Sequence, residues 1–440
     1  MKKYDKLILF IMILQIVGFF AVMEPRRIMA AAGTGNAETE TQNIPQGISG
    51  IHLCALGKSR VKLTWEESSH ASCYRIYRRE KGDGMYLLAD TVTGGSFTDQ
   101  GLSYGRDYQY RIIPEARSAA GIVEGKAASV TYRNVKAVSV NHQKYTYTEM
   151  KSDIELLAKN YYGLVSYQVI GKSTDGRNIY DVILGNPKAG KTLLVVSTLH
   201  AREYMASLLC MNQIEYYLQN YFKKVDKIKV QDTLDKIAIH YIPMANPDGV
   251  AISQSGVKKI RGASLRKILG KISKSGTKRW KANARGVDLN YNFPWNFKKD
   301  NRRRSAGCSG SRSSSEKETK AIVKLVRQLK KCNRLKGIVN YHAMGSIIYG
   351  DCKSKVSCAK ATARMYKLAR STTGYGKAPS YSGKAGEAGG SFRGYTLYRL
   401  FIPTITLEIG TKPCPGPISE FSSIWKKNKN LILREARLFT

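Results

Sequence analysis

From residue 48 to residue 134, apolar and polar positions change places at every second residue. "RVKLTW" and "CYRIYRR" alternate, "GSFTDQGL" runs as a strand into a turn, and "RDYQYRIIPEA" alternates again. Period two marks strands that bury one face, and the Gly and Ser between them mark turns, so this stretch reads as an all-β sandwich. From residue 135 onward the period changes. "YTYTEMKSDIELLAKNY" repeats as a helix with Thr148 as its expected N-cap, and "MASLLCMNQIEYYLQNYF" reads as an amphipathic helix. "EKETKAIVKLVRQLKKC" and "SCAKATARMYKLAR" are further helices. The apolar runs "GRNIYDVILG", "KTLLVVSTLH", "IAIHYIPMANPDG", "KGIVNYHA" and "IPTITLEIG" are strands. Strands and helices in alternation predict an α/β domain over 135–440 with a mostly parallel or mixed sheet. Two polar, basic loops (273–286 and 297–315) interrupt it, and in such sheets functional groups collect on loops and at strand ends.

The N-terminus adds a destination. "MKKYDK" is basic, "LILFIMILQIVGFFAVM" (7–23) is apolar, and "AAAG" (30–33) is small. That order reads as a secretory signal peptide over 1–32 or, left uncleaved, a membrane anchor. The polar, unpatterned 33–47 reads as a linker. Both readings put the rest of the chain outside the cytoplasm, secreted or held at the cell envelope. Eight cysteines fit an exported protein. Cys352 and Cys358 flank a short loop and are the first bridge candidates. Cys54 and Cys73 suit a link between two strands, Cys308, Cys332 and Cys414 offer another bridge, and Cys210 fits a buried thiol.

Composition is ordinary except for charge. Against 33 Asp+Glu stand 72 Lys+Arg, a net +39. Such a surface is expected to gather on anionic cell-envelope polymer. No aromatic-and-basic nucleic-acid motif stands out, so a dedicated nucleic-acid role is not expected, and the chain is expected to be a monomer. Within the β-rich stretch, Trp65 ends an early strand, and Leu102 and Tyr108 lie in "GLSYGRDYQYRI". These residues resemble the core Trp and the leucine-and-tyrosine corner of fibronectin type III domains, which implies a spacer or binding module.

Chemistry enters with the six histidines. His200 and His342 both end apolar strands, and Glu203 follows His200 at a spacing that brings both side chains to one turn. Two imidazoles and a carboxylate are ordinary zinc ligands, and a catalytic zinc takes three protein ligands and keeps one position open. His240, in "AIHYIP", is read as structural. Glu408, at the end of "IPTITLE", is costly to bury without a task.

The ordered series "HAREY" (200–204), "NPDG" (246–249), "GVDLNYNFPW" (286–295), "YHAMG" (341–345) and "TLEIG" (406–410) resembles the zinc carboxypeptidase family, over nearly all of 140–440. The resemblance implies a mixed eight-stranded sheet with helices on both faces and one catalytic zinc ion. It implies His200, Glu203 and His342 as metal ligands, Glu408 as general base, and Asp288 as the carboxylate that orients the first histidine. Arg285 matches the arginine that stabilises the oxyanion, and Arg202 a substrate-binding arginine. The family pattern Asp-x-Asn-Arg-Asn appears here as Asp288-Leu289-Asn290-Tyr291-Asn292. Asn290 remains, but a phenol at Tyr291 cannot form the charged two-point clamp of a guanidinium. Tyr381 is the nearest candidate for the family's mobile tyrosine. Arg393 falls at the specificity position, as a partner for a substrate carboxylate. "RWKANARGVDLN" and "YHAMGSIIYG" are most similar to the bacterial γ-D-glutamyl-meso-diaminopimelate peptidase branch. The expected activity is therefore that of an exported zinc peptidase acting on peptidoglycan stem peptides. A secreted carboxypeptidase trimming proteins or nutrient peptides, and a non-catalytic wall-binding protein, stand as alternatives.

Overall fold

The computed structural model describes residues 44–118, 121–274, 276–352, 356–379 and 388–440. The signal segment, most of the linker and Tyr381 lie outside the described residues. The first eight strands are β1 (Ser49–Ala55), β2 (Arg60–Glu66), β3 (Cys73–Glu80), β4 (Leu87–Val92), β5 (Ser96–Gln100), β6 (Arg106–Ser118), β7 (Gly121–Glu124) and β8 (Ala128–Asn134). They form two antiparallel sheets, β1-β2-β5 and β4-β3-β6-β7 with β8 also on β6. The alternation explains the packing. Val61, Leu63 and Trp65 of β2 meet Tyr74, Ile76, Tyr110 and Ile112 of the facing sheet, while the residues between them face outward. Leu102 and Tyr108 are both buried, and the Tyr108 hydroxyl accepts from Ser103 N at 2.8 Å.

This β-rich region does not hang on a tether. Tyr162 N donates to Leu53 O at 2.9 Å, and the His52 ring stacks on Tyr162 at 3.6 Å. Glu215 accepts from Ala137 N and Val138 N at 2.7 and 3.1 Å. One hydrophobic cluster runs from Leu53 and Tyr132 through Leu157 and Tyr161 to Leu209 and Ile239.

The second part begins with α1 (Tyr147–Asn160). Its N-cap is Thr146, not Thr148, because Glu149 then stands at the third helical position and completes a capping box with it. Next come β9 (Val165–Lys172), β10 (Asn178–Leu184), β11 (Thr192–Ser197) and α2 (Met205–Gln219). A short hairpin follows, β12 (Lys224–Val225) and β13 (Ile228–Lys229), then α3 (Val230–Leu234), β14 (Ala238–Ile242), α4 (Pro247–Ser255), α5 (Ala263–Ile272) and α6 (Lys317–Lys331). The chain closes with β15 (Leu335–His342), β16 (Ile347–Tyr349), α7 (Ala359–Thr373), β17 (Gly376–Lys377), α8 (Phe392–Gly394), β18 (Thr404–Glu408), α9 (Phe421–Asn428) and α10 (Leu431–Arg437). The sheet is mixed and eight-stranded, in the order β17-β16-β18-β15-β11-β14-β10-β9. Its middle strands β18, β15, β11 and β14 run parallel. The α2 helix is buried around nearly its whole circumference rather than along one stripe, because other elements cover the face turned away from the sheet. His240 is buried and bonded to Asp181 at 2.8 Å, as a structural residue should be. Among the described residues no helix is long and apolar enough to cross a membrane.

All eight cysteines are thiols. Cys54 on β1 and Cys73 on β3, which the sequence offered as a link between two strands, lie on different sheets and are unlinked. Cys352 and Cys358 do lie together, unlinked, with the Arg393 charge beside both. Cys210 is fully buried, as its apolar pattern predicts.

A buried polar network braces the loops that lead to the strand ends. Arg177 bridges Asp175 and Asp248 at 2.8 and 2.7 Å, and Glu318 accepts from Thr174 N and Asn283 Nδ2 at 3.0 and 3.2 Å. Burial, and then the Asp248 charge, push the Glu318 carboxyl up to about 7. An acid whose pKa is higher folded than unfolded contributes fully below its unfolded value, and that contribution is lost as pH rises through the folded value. Glu318 should therefore remove about 3 kcal/mol of stability between pH 4.5 and 7. Urea midpoints for Glu318→Gln across this range should show a flatter pH dependence than wild type.

Candidate active site

Three parallel strands end side by side, and the site is built on their C-terminal edge. His342 and Glu408 are register partners at the ends of β15 and β18. β11 ends at Ser197 and leads through Thr198, whose φ is +57°, to His200. Thr198 is held in that left-handed conformation by a 2.7 Å contact between its hydroxyl and Ser207 on α2. Glu203 follows one turn later, just before α2.

His200 Nδ1 lies 2.8 Å from Glu203 Oε1, and His342 Nδ1 lies 2.9 Å from Glu203 Oε2 and 3.0 Å from His200 Nδ1. Among the described residues these three alone gather as a potential metal-binding group. On the far side of the first ring, Asp288 Oδ1 stands 3.3 Å from His200 Nε2. A ring that keeps its proton toward that carboxylate turns the Nδ1 lone pair inward. Two imidazole lone pairs and a carboxylate converging in a buried space suit a zinc ion.

The electrostatics point the same way. Burial opposes a charged ring, yet Glu203 and then Asp288 outweigh it and lift His200 to about 9. Burial and the neighbouring His200 charge push His342 down. Burial opposes ionisation of Glu203 and Asp288, but the histidines hold Glu203 far below the usual carboxylate range, and His200 holds Asp288 at about 2. Glu408 is the exception, pushed up to about 8 by burial and by the Glu203 charge. A dication among the three ligands would reverse that push and leave Glu408 a carboxylate.

Asn290 and Tyr291 form the turn after Asp288, where Asn290 Oδ1 accepts from Phe392 N at 3.0 Å. Gly390 (φ +78°) permits this closeness, since a Cβ there would sit 2.0 Å from Tyr291 O. Arg393 is buried and donates to Asp351 O, so it is no surface charge. Arg202 is half-buried, and its Nε is buried without a hydrogen-bond partner among the described residues.

Arg285 departs from expectation. Asn283 Oδ1 accepts from both Arg285 N and Val287 N, and the resulting turn sends the arginine to Glu316, at 3.6 Å. A cation that does face the cluster is Lys281, which was not among the residues named from the sequence. Its Nζ is 3.9 Å from Asp288 Oδ2, and its charge acts on His342 and Glu408 as well. Its carbonyl accepts from Ala201 N at 3.0 Å, pinning it beside the first ligand. Buried Trp280 and Ala282 on either side were the available signal, since they fix a lone lysine between anchored neighbours.

"NPDG" proves to be the joint behind this arrangement. Asn246 Nδ2 donates to Leu199 O and Ala282 O at 3.1 and 3.2 Å, and its side chain caps α4 through Gly249 N. A Cβ on Gly249 would lie 2.4 Å from Ala282 O. One side chain thus ties the residue before His200 to the residue after Lys281.

Known proteins agree with this geometry. The chain is 24% identical over 298 residues to a gamma-D-glutamyl-L-diamino acid endopeptidase from Lysinibacillus sphaericus, covering 66% of this chain and 72% of that one. It is 23% identical to human carboxypeptidase B, covering 64% and 62%. The fold matches the crystal structure of thrombin-activatable fibrinolysis inhibitor with a TM-score of 0.57 and 18% identity, over 69% of this chain and 76% of that one. The zinc carboxypeptidase family as a whole matches residues 150–431, well over half of the sequence, and the chain belongs to that family of hydrolases with one catalytic zinc.

Proposed function

We propose that the protein is an exported peptidase that hydrolyses an amide bond in cell-wall stem peptides. The observation that carries the substrate class is Tyr291. Where the sequence pattern calls for a guanidinium to grip a terminal carboxylate, this chain offers a phenol beside Asn290. The relative named for γ-D-glutamyl-diamino acid cleavage supports the same reading. His200, Glu203 and His342 would hold the zinc ion, which would supply Lewis-acid polarisation of a carbonyl and a lowered pKa for bound water. Glu408 takes the water's proton and passes it to the leaving amine. Lys281 faces the charge that develops on the carbonyl oxygen. Asp288 holds the His200 ring in the tautomer that ligates. Asn290, Tyr291 and Arg393 receive the leaving side of the peptide, with Arg393 meeting a side-chain carboxylate. The +39 charge holds the protein against anionic envelope polymer, and the β-sandwich serves as a fibronectin type III-like module in that setting.

Muropeptides and acyl-dipeptides, each with and without chelator, test the substrate class. Chelator-sensitive cleavage of muropeptides alone is expected. Cleavage of ordinary C-termini instead would favour a trimming carboxypeptidase, and no cleavage at all a wall-binding protein.

Glu408→Gln should bind one zinc per chain, by metal analysis, and lose turnover. Wild-type activity in that variant would remove the base assignment.

Lys281→Met should lower kcat about 10²- to 10³-fold with little change in KM, as loss of a transition-state donor does. Arg285→Ala should stay within a few-fold of wild type in the same steady-state assay.

A further inference from the structure

Where the β-rich region meets α2 and α9 lies a cavity of about 580 Å³. One face of α2 lines it with Asn212, Tyr216 and Gln219, at helical spacing, and α9 lines it with Phe421 and Trp425. From the β-rich side come Lys58, on the turn between β1 and β2, and Tyr104, on the turn between β5 and β6. None of these residues belongs to the ligand cluster or has a part in hydrolysis. The volume lies in the ordinary range of ligand pockets.

Aromatic rings make much of the wall. Trp425 packs edge-on to Tyr216 with centroids 5.4 Å apart, and it stacks on Phe421 at 6.4 Å. A tryptophan gripped by two rings keeps its orientation when a ligand arrives, so little entropy is lost in ordering it. Tyr104 is 40% exposed, and Lys58 Nζ stands 4.6 Å from its ring centroid. The faces of such rings are electron-rich and attract C–H groups that carry partial positive charge.

The polar groups narrow the occupant. Asn212 is only 5% exposed, and its Nδ2 donates to Leu208 O at 2.9 Å. Its Oδ1 accepts from no other group among the described residues, so a purely apolar occupant would strand a buried acceptor. Charge nearly cancels. Lys58 and Lys136 stand against one carboxylate, Glu215, whose oxygens are filled by Ala137 N, Val138 N and Gln219 Nε2. The cavity therefore suits a neutral molecule with C–H faces for the rings and hydroxyl or amide groups around its rim. A pyranose ring has that make-up.

We propose that this cavity is a saccharide-binding site. Tyr104, Tyr216 and Trp425 stack on pyranose faces, Asn212 Oδ1 accepts from a hydroxyl or acetamido group, and the two lysines donate to ring substituents. The site is separate from hydrolysis and goes beyond the stem-peptide reading. It would hold a glycan while the zinc cluster acts elsewhere.

The test is calorimetric titration of the full-length, zinc-loaded protein with chitotetraose and with cellotetraose, which share pyranose faces and differ in the acetamido group. Saturable binding of one saccharide per chain is expected. Binding of chitotetraose alone would support an amino-sugar occupant, and binding of both would support recognition of the rings themselves. Trp425→Ala and Tyr104→Ala should each weaken binding by about tenfold. Tyr104→Ala changes an exposed turn and should keep the wild-type urea midpoint, so its loss of binding would not reflect unfolding. Chelator-treated protein and Glu408→Gln should bind as wild type does. Binding of neither probe, undiminished binding in both aromatic variants, or binding that disappears with zinc would overturn the proposal. All of these outcomes leave the stem-peptide reading to be judged by cleavage.

Discussion

Two imidazole Nδ1 atoms stand 3.0 Å apart, each within 2.9 Å of an oxygen of the same carboxylate, in a space closed to solvent. Acceptors crowded in this way repel one another unless a cation sits among them, and burial makes the penalty larger. The rest of the site follows from meeting that requirement. Asp288 is placed behind His200 so that the lone pair faces inward. Ala343 N donates to Glu203 Oε2 at 3.2 Å and holds the carboxylate in position. Burial and the Glu203 charge favour the protonated form of Glu408, and a cation among the ligands would oppose that push.

The sheet makes such crowding reproducible. Parallel β11, β15 and β18 end at one level, so residues far apart in sequence arrive within a few ångströms of one another. A one-residue slip would turn His342 and Glu408 to the opposite face. These central strands are buried on both faces, so a slip would misplace side chains throughout the packed core. Behind the sheet edge, buried polar groups do the same for the loops. Asn246 joins the His200 turn to the Lys281 segment, and Arg177 with Asp175 and Asp248 anchors the helix that Asn246 caps.

The β-rich region is part of this machinery by contact. Its core is continuous with that of the α/β part, and Gln143, in the segment leaving it, is bonded to Gly416 O and Ile418 N in the stretch after Glu408.

Much was legible in the chain by itself. Period-two and helical patterns gave both parts their class, because burial of one face writes itself directly into residue order. The His200–Glu203 spacing, Asp288, His342 and Glu408 were legible because each sits at a strand end or tight turn, where local sequence fixes direction. What could not be read depends on directions set elsewhere. Arg285 and Lys281 are four residues apart, and only the turn around Asn283 decides which one faces the metal site. Arg393 looked equally suited to the surface, and only packing buried it. Cysteine spacing suggested bridges, but Cys54 and Cys73 are unlinked, and which cysteines meet is a long-range choice. The sequence determined the elements and the residues that gather at the strand ends, since those follow from local pattern. Tertiary structure decided which lysine or arginine faces the cluster, since a long side chain's direction is set by the hydrogen bonds of its neighbours.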